Sequence, residues 1–341
     1  MHYFTSDYMV GAHPEVLEKL VETNSLHTVG YGNDEFTDEA RKLILKICGI
    51  PEGQVYFMEG GTQTNATVID GLLLHHQGVL AADTAHINVH EAGAVEASGH
   101  KVIAIPGRNG KLDAESVLSY LKNFYADESY LAMVEPGMVY ISQPTELGTL
   151  YTLTELRELR KICDEYNIPL YIDGARLAYS QNISDEYPTI QDIASISDIF
   201  YIGGTKCGAL FGEAIVTRHH DLLRHFVPLI KQHGAMLAKG RLLGVQFKAL
   251  FTDDLYERIG THALNMARML KEGILSKGYR LYIDSPTNQQ FFILPNDVIE
   301  KLRETVTFEL WGAMGETETP VRFVTDWSTK EEDVKALIDA L

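Results

Sequence analysis

Between residues 53 and 216, short apolar runs alternate with longer segments in which apolar residues recur every three or four positions. The short runs have the length of buried strands, and the longer segments have the period of amphipathic helices. The clearest helix spans 152–166, because Leu153, Leu156 and Leu159 share one face. Thr152 and Glu155 have the spacing of a capping box at its start. The runs that predict strands are 55–58, 79–82, 102–105, 131–134, 139–141, 170–172 and 199–202.

Strands that alternate with helices predict a mostly parallel sheet with helices on both faces. After Gly240 the pattern changes to a long helical region at 241–277. Strand-like pieces at 279–283, 290–294 and 321–325 then mix with helix-like segments at 296–305 and 330–341. The chain therefore predicts an α/β protein with a large domain over 1–249, including an N-terminal arm, and a smaller α+β domain over 250–341.

The composition excludes several classes of partner. A net charge of −18 over 341 residues argues against binding to nucleic acid or to an anionic membrane surface. No apolar run approaches the ~18–20 residues that span a bilayer. The first residues lack the features of a signal peptide, and the three cysteines are scattered without ligand spacing. We expect a cytoplasmic protein with reduced thiols.

Two charged residues each follow an apolar strand-like run. Asp173 comes directly after 170–172, and Lys206 follows 199–202 through Gly203-Gly204-Thr205. Open α/β sheets bind ligands at the carboxyl ends of their strands. A lysine can form a Schiff base with pyridoxal 5′-phosphate, and an aspartate can keep the pyridine nitrogen protonated. The pair predicts an enzyme that uses this cofactor.

Two further segments suit such a site. Gly61 and Thr62 lie between a strand and a helix, where backbone N–H groups bind phosphate; the simpler interpretation is a turn with a helix cap. His86 follows the strand at 79–82 and could stack on a cofactor ring or carry a proton. Its alternative is a loop histidine bonded to the backbone.

Two arginines are candidates for an anionic substrate group. Arg176 follows Asp173 by three positions and could hold a substrate carboxylate. Arg322 is the one charged residue in the apolar strand 321–325, where an inward-facing guanidinium needs an anionic partner. The alternative for Arg322 is a solvent-facing position on an edge strand.

In combination and order, these segments resemble the threonine aldolase and aromatic amino acid β-eliminating lyase family, of pyridoxal phosphate fold type I. The resemblance runs almost end to end. Its segments are Ser6-Asp7, Gly30-Tyr31-Gly32-Asn33-Asp34, Gly60-Gly61-Thr62, Ala85-His86-Ile87 with Glu91, Asp173-Gly174-Ala175-Arg176, Thr205-Lys206 and Arg322-Phe323-Val324-Thr325.

The resemblance implies a role for each site residue. Lys206 forms the Schiff base, with Thr205 beside it, and Asp173 pairs with the pyridinium nitrogen. His86 stacks on the ring, while Gly61 and Thr62 hold the phosphate. The substrate carboxylate is implied to bind Ser6, Arg176 and Arg322. Tyr31 is implied to lie near the active site of a neighbouring subunit, so we expect a homodimer or homotetramer.

Three positions depart from the family pattern. The segment 143–149 lacks the second active-site histidine, and 233–238 lacks an arginine that reaches a partner's phosphate. The candidates to supply that charge instead are Lys231 and Lys239. Asp326 stands where the family usually has a histidine. These changes bear on the reaction at Cβ and leave the cofactor site intact.

The resemblance implies retro-aldol cleavage of a β-hydroxy-α-amino acid, of the L-threonine or L-allo-threonine type, to glycine and an aldehyde. The proton acceptor is either His86 or a water near Thr145 and Glu146. The alternatives are β-elimination or other chemistry at Cβ, and a non-catalytic pyridoxal-binding protein. The presence of both Lys206 and Asp173 argues against the non-catalytic alternative.

Overall fold

A computed structural model describes residues 1–223 and 225–341. Its strands are β1 (His2–Tyr3), β2 (Gln54–Met58), β3 (Gln77–Ala82), β4 (Lys101–Ile105), β5 (Glu135–Ser142), β6 (Leu170–Asp173), β7 (Ile199–Gly203), β8 (Glu213–Thr217), β9 (Arg280–Ile283), β10 (Gln289–Pro295), β11 (Val306–Thr307), β12 (Glu309–Leu310) and β13 (Glu318–Val324). Its α-helices are α1 (Pro14–Thr23), α2 (Glu35–Cys48), α3 (Gly61–Leu72), α4 (His86–Val89), α5 (Ala94–Ala97), α6 (Ala114–Ala126), α7 (Leu153–Tyr166), α8 (Ile190–Ile196), α9 (Phe226–Gln232), α10 (Arg241–Leu250), α11 (Leu255–Ser276), α12 (Asn296–Leu302) and α13 (Glu331–Ala340).

Seven strands form the central sheet, in the order β2-β8-β7-β6-β5-β3-β4. Strands β3 to β7 pair in parallel, whereas β8 runs antiparallel to both of its neighbours. The carboxyl ends of the parallel strands therefore meet at one edge of the sheet. Because β8 is reversed, its first residue, Glu213, lies at the same edge, opposite Gly203 of β7 and Met58 of β2.

The expected α/β fold with a mostly parallel sheet is confirmed, and so is the capping box of Thr152 and Glu155 at the start of α7. Two local predictions are wrong. Residues 130–132 form a 3₁₀ turn rather than a strand, and Leu131 is 85% exposed. The helical region 241–277 is two helices, α10 and α11, because Asp253 and Asp254 adopt left-handed φ angles of 51° and 55° between them.

A second, smaller antiparallel sheet has the order β12-β13-β10-β9, and β1 pairs in parallel with β11 beside it. Its apolar core includes Phe292 and Phe323 together with Phe4 from the N-terminal arm. Helix α11 contributes to both cores: Ile259 packs with the large sheet, and Leu270 packs with the small one. The domain boundary at 249/250 stays a prediction.

Within the described part of the chain, no helix combines the length and the apolar character needed to cross a membrane.

Candidate active site

A cavity of about 470 Å³ opens where β5, β6 and β7 end. Eight of the ten predicted site residues line it: Gly61, Thr62, His86, Asp173, Arg176, Thr205, Lys206 and Arg322. Ser6 and Tyr31 do not. Ser6 is buried two residues before Tyr8, which lines the cavity. Tyr31 is 52% exposed and lines a separate groove. The ammonium of Lys231 lies 5.1 Å from the centre of the Tyr31 ring.

Asp173 ends β6 and is almost fully buried. Its Oδ2 accepts hydrogen bonds from the Tyr140 hydroxyl (2.6 Å) and from Asn65 Nδ2 (3.0 Å), and its Oδ1 accepts one from the Ala175 N–H (3.0 Å). Burial acts to raise the pKa of this carboxyl. The positive field of His86 and the hydrogen bonds outweigh that effect, so the pKa lies below the usual range. Asp173 is therefore a buried anion ready to pair with a protonated nitrogen.

Lys206 lies in the turn that follows β7, at the same edge of the sheet. Its backbone carbonyl accepts a hydrogen bond from the Tyr179 hydroxyl at 2.6 Å. Burial lowers the pKa of the Lys206 ammonium, and the neighbouring Arg176 lowers it further. A lowered pKa makes the amine of Lys206 a better nucleophile than that of an exposed lysine.

His86 begins α4 and is tied to Asp173 through two intervening side chains. Its Nδ1 lies 2.7 Å from Glu91 Oε1, and that oxygen also accepts a hydrogen bond from Asn65 Nδ2 at 2.7 Å. The same Asn65 amide reaches Asp173. The predicted alternative, a loop histidine bonded to the backbone, is wrong, because His86 belongs to α4 and its ring bonds to the Glu91 side chain. The network fixes the imidazole while leaving it in the cavity.

Helix α3 begins at the cavity, with Gly60 as its N-cap. No side chain caps this helix end, so its first N–H groups are available to an anion. A Cβ at Gly61 would lie 3.2 Å from the Tyr201 hydroxyl, which shows how closely the turn approaches β7. These N–H donors favour the phosphate-site interpretation over that of a turn with a helix cap.

Two carboxyl groups, Glu59 and Glu213, also line this end of the cavity. Burial raises the pKa of Glu213 to about 8, so that this group is mostly uncharged at neutral pH. It accepts a hydrogen bond from the Gly204 N–H at 3.1 Å and thereby holds the turn that carries Lys206. A neutral carboxyl does not repel a phosphate bound at the start of α3.

The two predicted carboxylate-binding arginines are both held by side chains of the protein. Arg176 donates to Asp7, from Nε to Oδ2 at 2.7 Å and from Nη2 to Oδ1 at 3.0 Å. Arg322 donates to Gln289 Oε1 at 2.9 Å and to Glu309. The alternative of a solvent-facing position on an edge strand is wrong, because β13 lies between β12 and β10 and Arg322 is buried in the cavity lining.

Sequence reasoning missed several residues that shape the cavity. Tyr140 and Tyr201 lie on strands whose apolar runs hide them among core residues, although both interact with Asp173. Strand β8 and its Glu213 were not predicted at all, because residues 203–212 contain glycines that indicate only turns. Trp311 lines the cavity from the small sheet, 5.1 Å from the Arg322 guanidinium, and no local signal marks it.

The chain is similar to known proteins over nearly its whole length. The model of the beta-eliminating lyase family matches residues 4–293. The low specificity L-threonine aldolase of Pseudomonas aeruginosa is 30% identical over 98% of this chain and 95% of its own. A solved structure of Leishmania major threonine aldolase is 38% identical, with a TM-score of 0.95 over 99% of this chain and 98% of that one.

More distant structures share the fold alone. An aspartate aminotransferase from Thermus thermophilus superimposes with a TM-score of 0.70 at 14% identity, covering 100% of this chain and 90% of its own. The architecture is that of pyridoxal phosphate fold type I, as expected from the sequence. The chain belongs to the beta-eliminating lyase family and is a pyridoxal 5′-phosphate-dependent lyase.

Proposed function

We propose that this lyase cleaves a β-hydroxy-α-amino acid of the L-threonine or L-allo-threonine type to glycine and an aldehyde. The main support is that Lys206, Asp173 and two arginines line the same cavity. Similarity to threonine aldolases from Pseudomonas aeruginosa and Leishmania major favours this reaction over β-elimination.

The residues present fit pyridoxal 5′-phosphate. Lys206 would hold the cofactor covalently, Asp173 would pair with its ring nitrogen, and His86 would lie against the ring. The first N–H groups of α3, at Gly61 and Thr62, with the Thr205 hydroxyl beside them, would bind its phosphate. When bound, the cofactor withdraws electrons from Cα of the attached amino acid, which is the chemistry that cleavage of Cα–Cβ requires.

The charges of the cavity position the substrate. Arg176 and Arg322 would bind its carboxylate, Arg176 in the orientation that Asp7 imposes. Ser6 does not line the cavity, so its proposed contact requires the arm to shift when substrate binds. Two charged anchors would hold the Cα–Cβ bond in the orientation needed for cleavage.

Product analysis tests the reaction. Purified protein loaded with cofactor is incubated with L-threonine and, separately, with L-allo-threonine. We expect acetaldehyde and glycine in equal amounts. Ammonia with a keto acid would show β-elimination instead, and transfer of the amino group to an added keto acid would show an aminotransferase. The ratio of the two aldol rates gives the preference at Cβ.

We also propose a homodimer or homotetramer. Tyr31 lines an exposed groove away from its own cavity, and the exposed Lys231 lies against its ring, which supports a role at a neighbouring subunit. Lys239 is exposed as well. Light scattering of the purified protein gives the number of subunits.

The cysteines Cys48, Cys163 and Cys207 are free and buried, which supports the expected cytoplasmic location.

A further inference from the structure

Glu146 lies in the loop after β5 and lines the cavity. Its Oε1 accepts hydrogen bonds from the Ser142 hydroxyl (2.7 Å) and from the His86 backbone N–H (3.0 Å). Within residues 1–223 and 225–341, both hydrogen bonds donated to this carboxylate by other residues end on Oε1. The other oxygen of Glu146, Oε2, has no such donor. The two hydrogen bonds to Oε1 fix the side chain next to His86.

The other acidic and basic groups of the cavity are less suited to accept a proton from substrate. Both oxygens of Asp173 accept hydrogen bonds, and Glu213 already carries its proton at neutral pH. His86 Nδ1 is occupied by Glu91. Glu59 adjoins the start of α3, where the phosphate is expected. Glu309 is paired with Arg322. Among the carboxylates that line the cavity, Glu146 is therefore the one that is both anchored and accessible.

We propose that Glu146 is the general base that takes the proton from the β-hydroxyl of the substrate. This inference rests on the proposed aldol cleavage and identifies the proton acceptor for that reaction.

The proposed step is balanced in atoms and electrons. The hydroxyl proton passes to Glu146, the oxygen forms a double bond to Cβ, and the Cα–Cβ bond breaks with its electron pair left at Cα. The aldehyde leaves. Glu146 then loses its proton to solvent while Cα gains one, so that glycine forms with no net change in protons.

The surroundings of Glu146 increase its affinity for a proton. Burial raises the pKa of this carboxyl above its ordinary range. Three neighbours modify the effect: the Ser142 hydrogen bond and the charge of His86 lower the pKa, whereas the anionic Asp173 raises it. The phenols of Tyr140 and Tyr151 also face this carboxylate and stay protonated, because burial raises their pKa values.

The decisive variant is Glu146→Gln, which keeps the size and the Oε1 acceptor but cannot take a proton. We expect aldehyde release to fall by about 10²–10⁴-fold, the range of general-base catalysis. Exchange of the glycine α-hydrogen for deuterium, followed by NMR, needs no hydroxyl proton transfer and should stay within about threefold of the parent. The glycine Kd, from titration of the visible absorbance, should also be unchanged.

Two further variants keep the proposal falsifiable. Glu146→Asp should recover part of the lost rate, since it restores a carboxylate. Ser142→Ala removes a hydrogen bond that favours the charged form, so the acidic limb of the kcat/KM profile should move to higher pH. A Glu146→Gln enzyme that still releases aldehyde with the parent pH profile would overturn the proposal. Equal loss of cleavage and glycine exchange, with cofactor bound, would also overturn it, by showing a merely structural role.

The same assays separate this inference from the proposed function. If the parent enzyme exchanges the glycine α-hydrogen but cleaves neither threonine diastereomer nor any other β-hydroxy amino acid, the aldol assignment fails before Glu146 is in question. If the parent cleaves and the variant cleaves equally well, only the role of Glu146 fails.

Discussion

Asp7 and Arg176 form a two-point ion pair, although 169 positions separate them in the chain. The pair joins the N-terminal arm to the turn after β6, and Asn288 adds a third bond, from Nδ2 to Asp7 Oδ2 at 2.9 Å. The arginine of this pair lines the cavity, while the aspartate is fully enclosed. The buried carboxylate of Asp7 therefore determines the orientation of Arg176, which we propose to bind the substrate carboxylate.

Replacing Asp7 by alanine should lower the free energy of unfolding by about 3–5 kcal/mol, because it leaves a largely buried guanidinium without its partner. A matched control is Glu15→Ala, which breaks an exposed two-point pair with Arg258 and should cost less than about 1 kcal/mol. Urea unfolding measures both variants. An equal loss of unfolding free energy in both variants would show that burial does not strengthen the Asp7–Arg176 pair.

Lys206→Ala should abolish aldehyde release and the visible absorbance of the covalently held cofactor, because Lys206 is the one lysine that lines the cavity among the described residues. Absorbance spectroscopy and an aldehyde assay on the purified variant test this expectation. A variant with normal turnover would remove Lys206 from the proposed site. Its thermal unfolding, compared with that of the parent, controls for loss of fold.

Asp173→Asn keeps hydrogen-bonding capacity but removes the buried negative charge. We expect cofactor to bind and kcat to fall on the order of 10²–10³-fold, the range seen when one electrostatic contact of a catalytic site is lost. Spectral titration with cofactor and steady-state kinetics check the two parts separately. An unchanged kcat would show that Asp173 does not interact with the ring nitrogen.

Gly174→Ala should destabilise the fold at the site. An added Cβ would lie 2.0 Å from the carbonyl oxygen of Tyr201, a backbone atom that has no freedom to move aside. The expected cost is about 1–3 kcal/mol or more. In the control Gly11→Ala, the new Cβ meets only Leu210 Cδ2 at 3.7 Å, so stability should change little. Thermal unfolding of both variants provides the comparison.

Glu213→Gln should change how stability depends on pH. The pKa of Glu213 is raised to about 8, so between about pH 4.5 and 8 the folded state binds a proton that the unfolded state has released. This group therefore stabilises the fold fully at low pH, and the contribution is lost as pH rises through 8. The glutamine variant should lack this part of the slope. Parallel curves for parent and variant, from thermal unfolding across that range, would contradict the assignment.

Much of the large sheet could be predicted from sequence because its strands are short apolar runs separated by amphipathic helices. The end of β6 at Asp173 and the turn at Lys206 are local features, and so they were found. Strand β8 was not predicted. One of its partners, β2, is distant in sequence, and the other, β7, is joined to it through a glycine-rich turn. Its own apolar run, Ala214-Ile215-Val216, is only three residues long.

The site was predictable where a residue type itself carries chemistry. Lys206, His86 and the two arginines are unusual among their apolar neighbours. The contacts that orient them were not predictable, because they depend on the distance between elements. Nothing in the sequence indicates that Asn65 joins Glu91 to Asp173. Nor does it indicate that Arg176, a predicted partner of the substrate carboxylate, is bound by Asp7.

The parallel pairing of β1 with β11, in which His2 lies opposite Val306, affects how the protein matures during synthesis. The arm that carries Asp7 lacks its binding surface until about 300 further residues have left the ribosome. At roughly 5–20 residues per second, the delay is about 15–60 s. The central sheet can form first, so Lys206 and Asp173 would be in place well before the arm can orient Arg176.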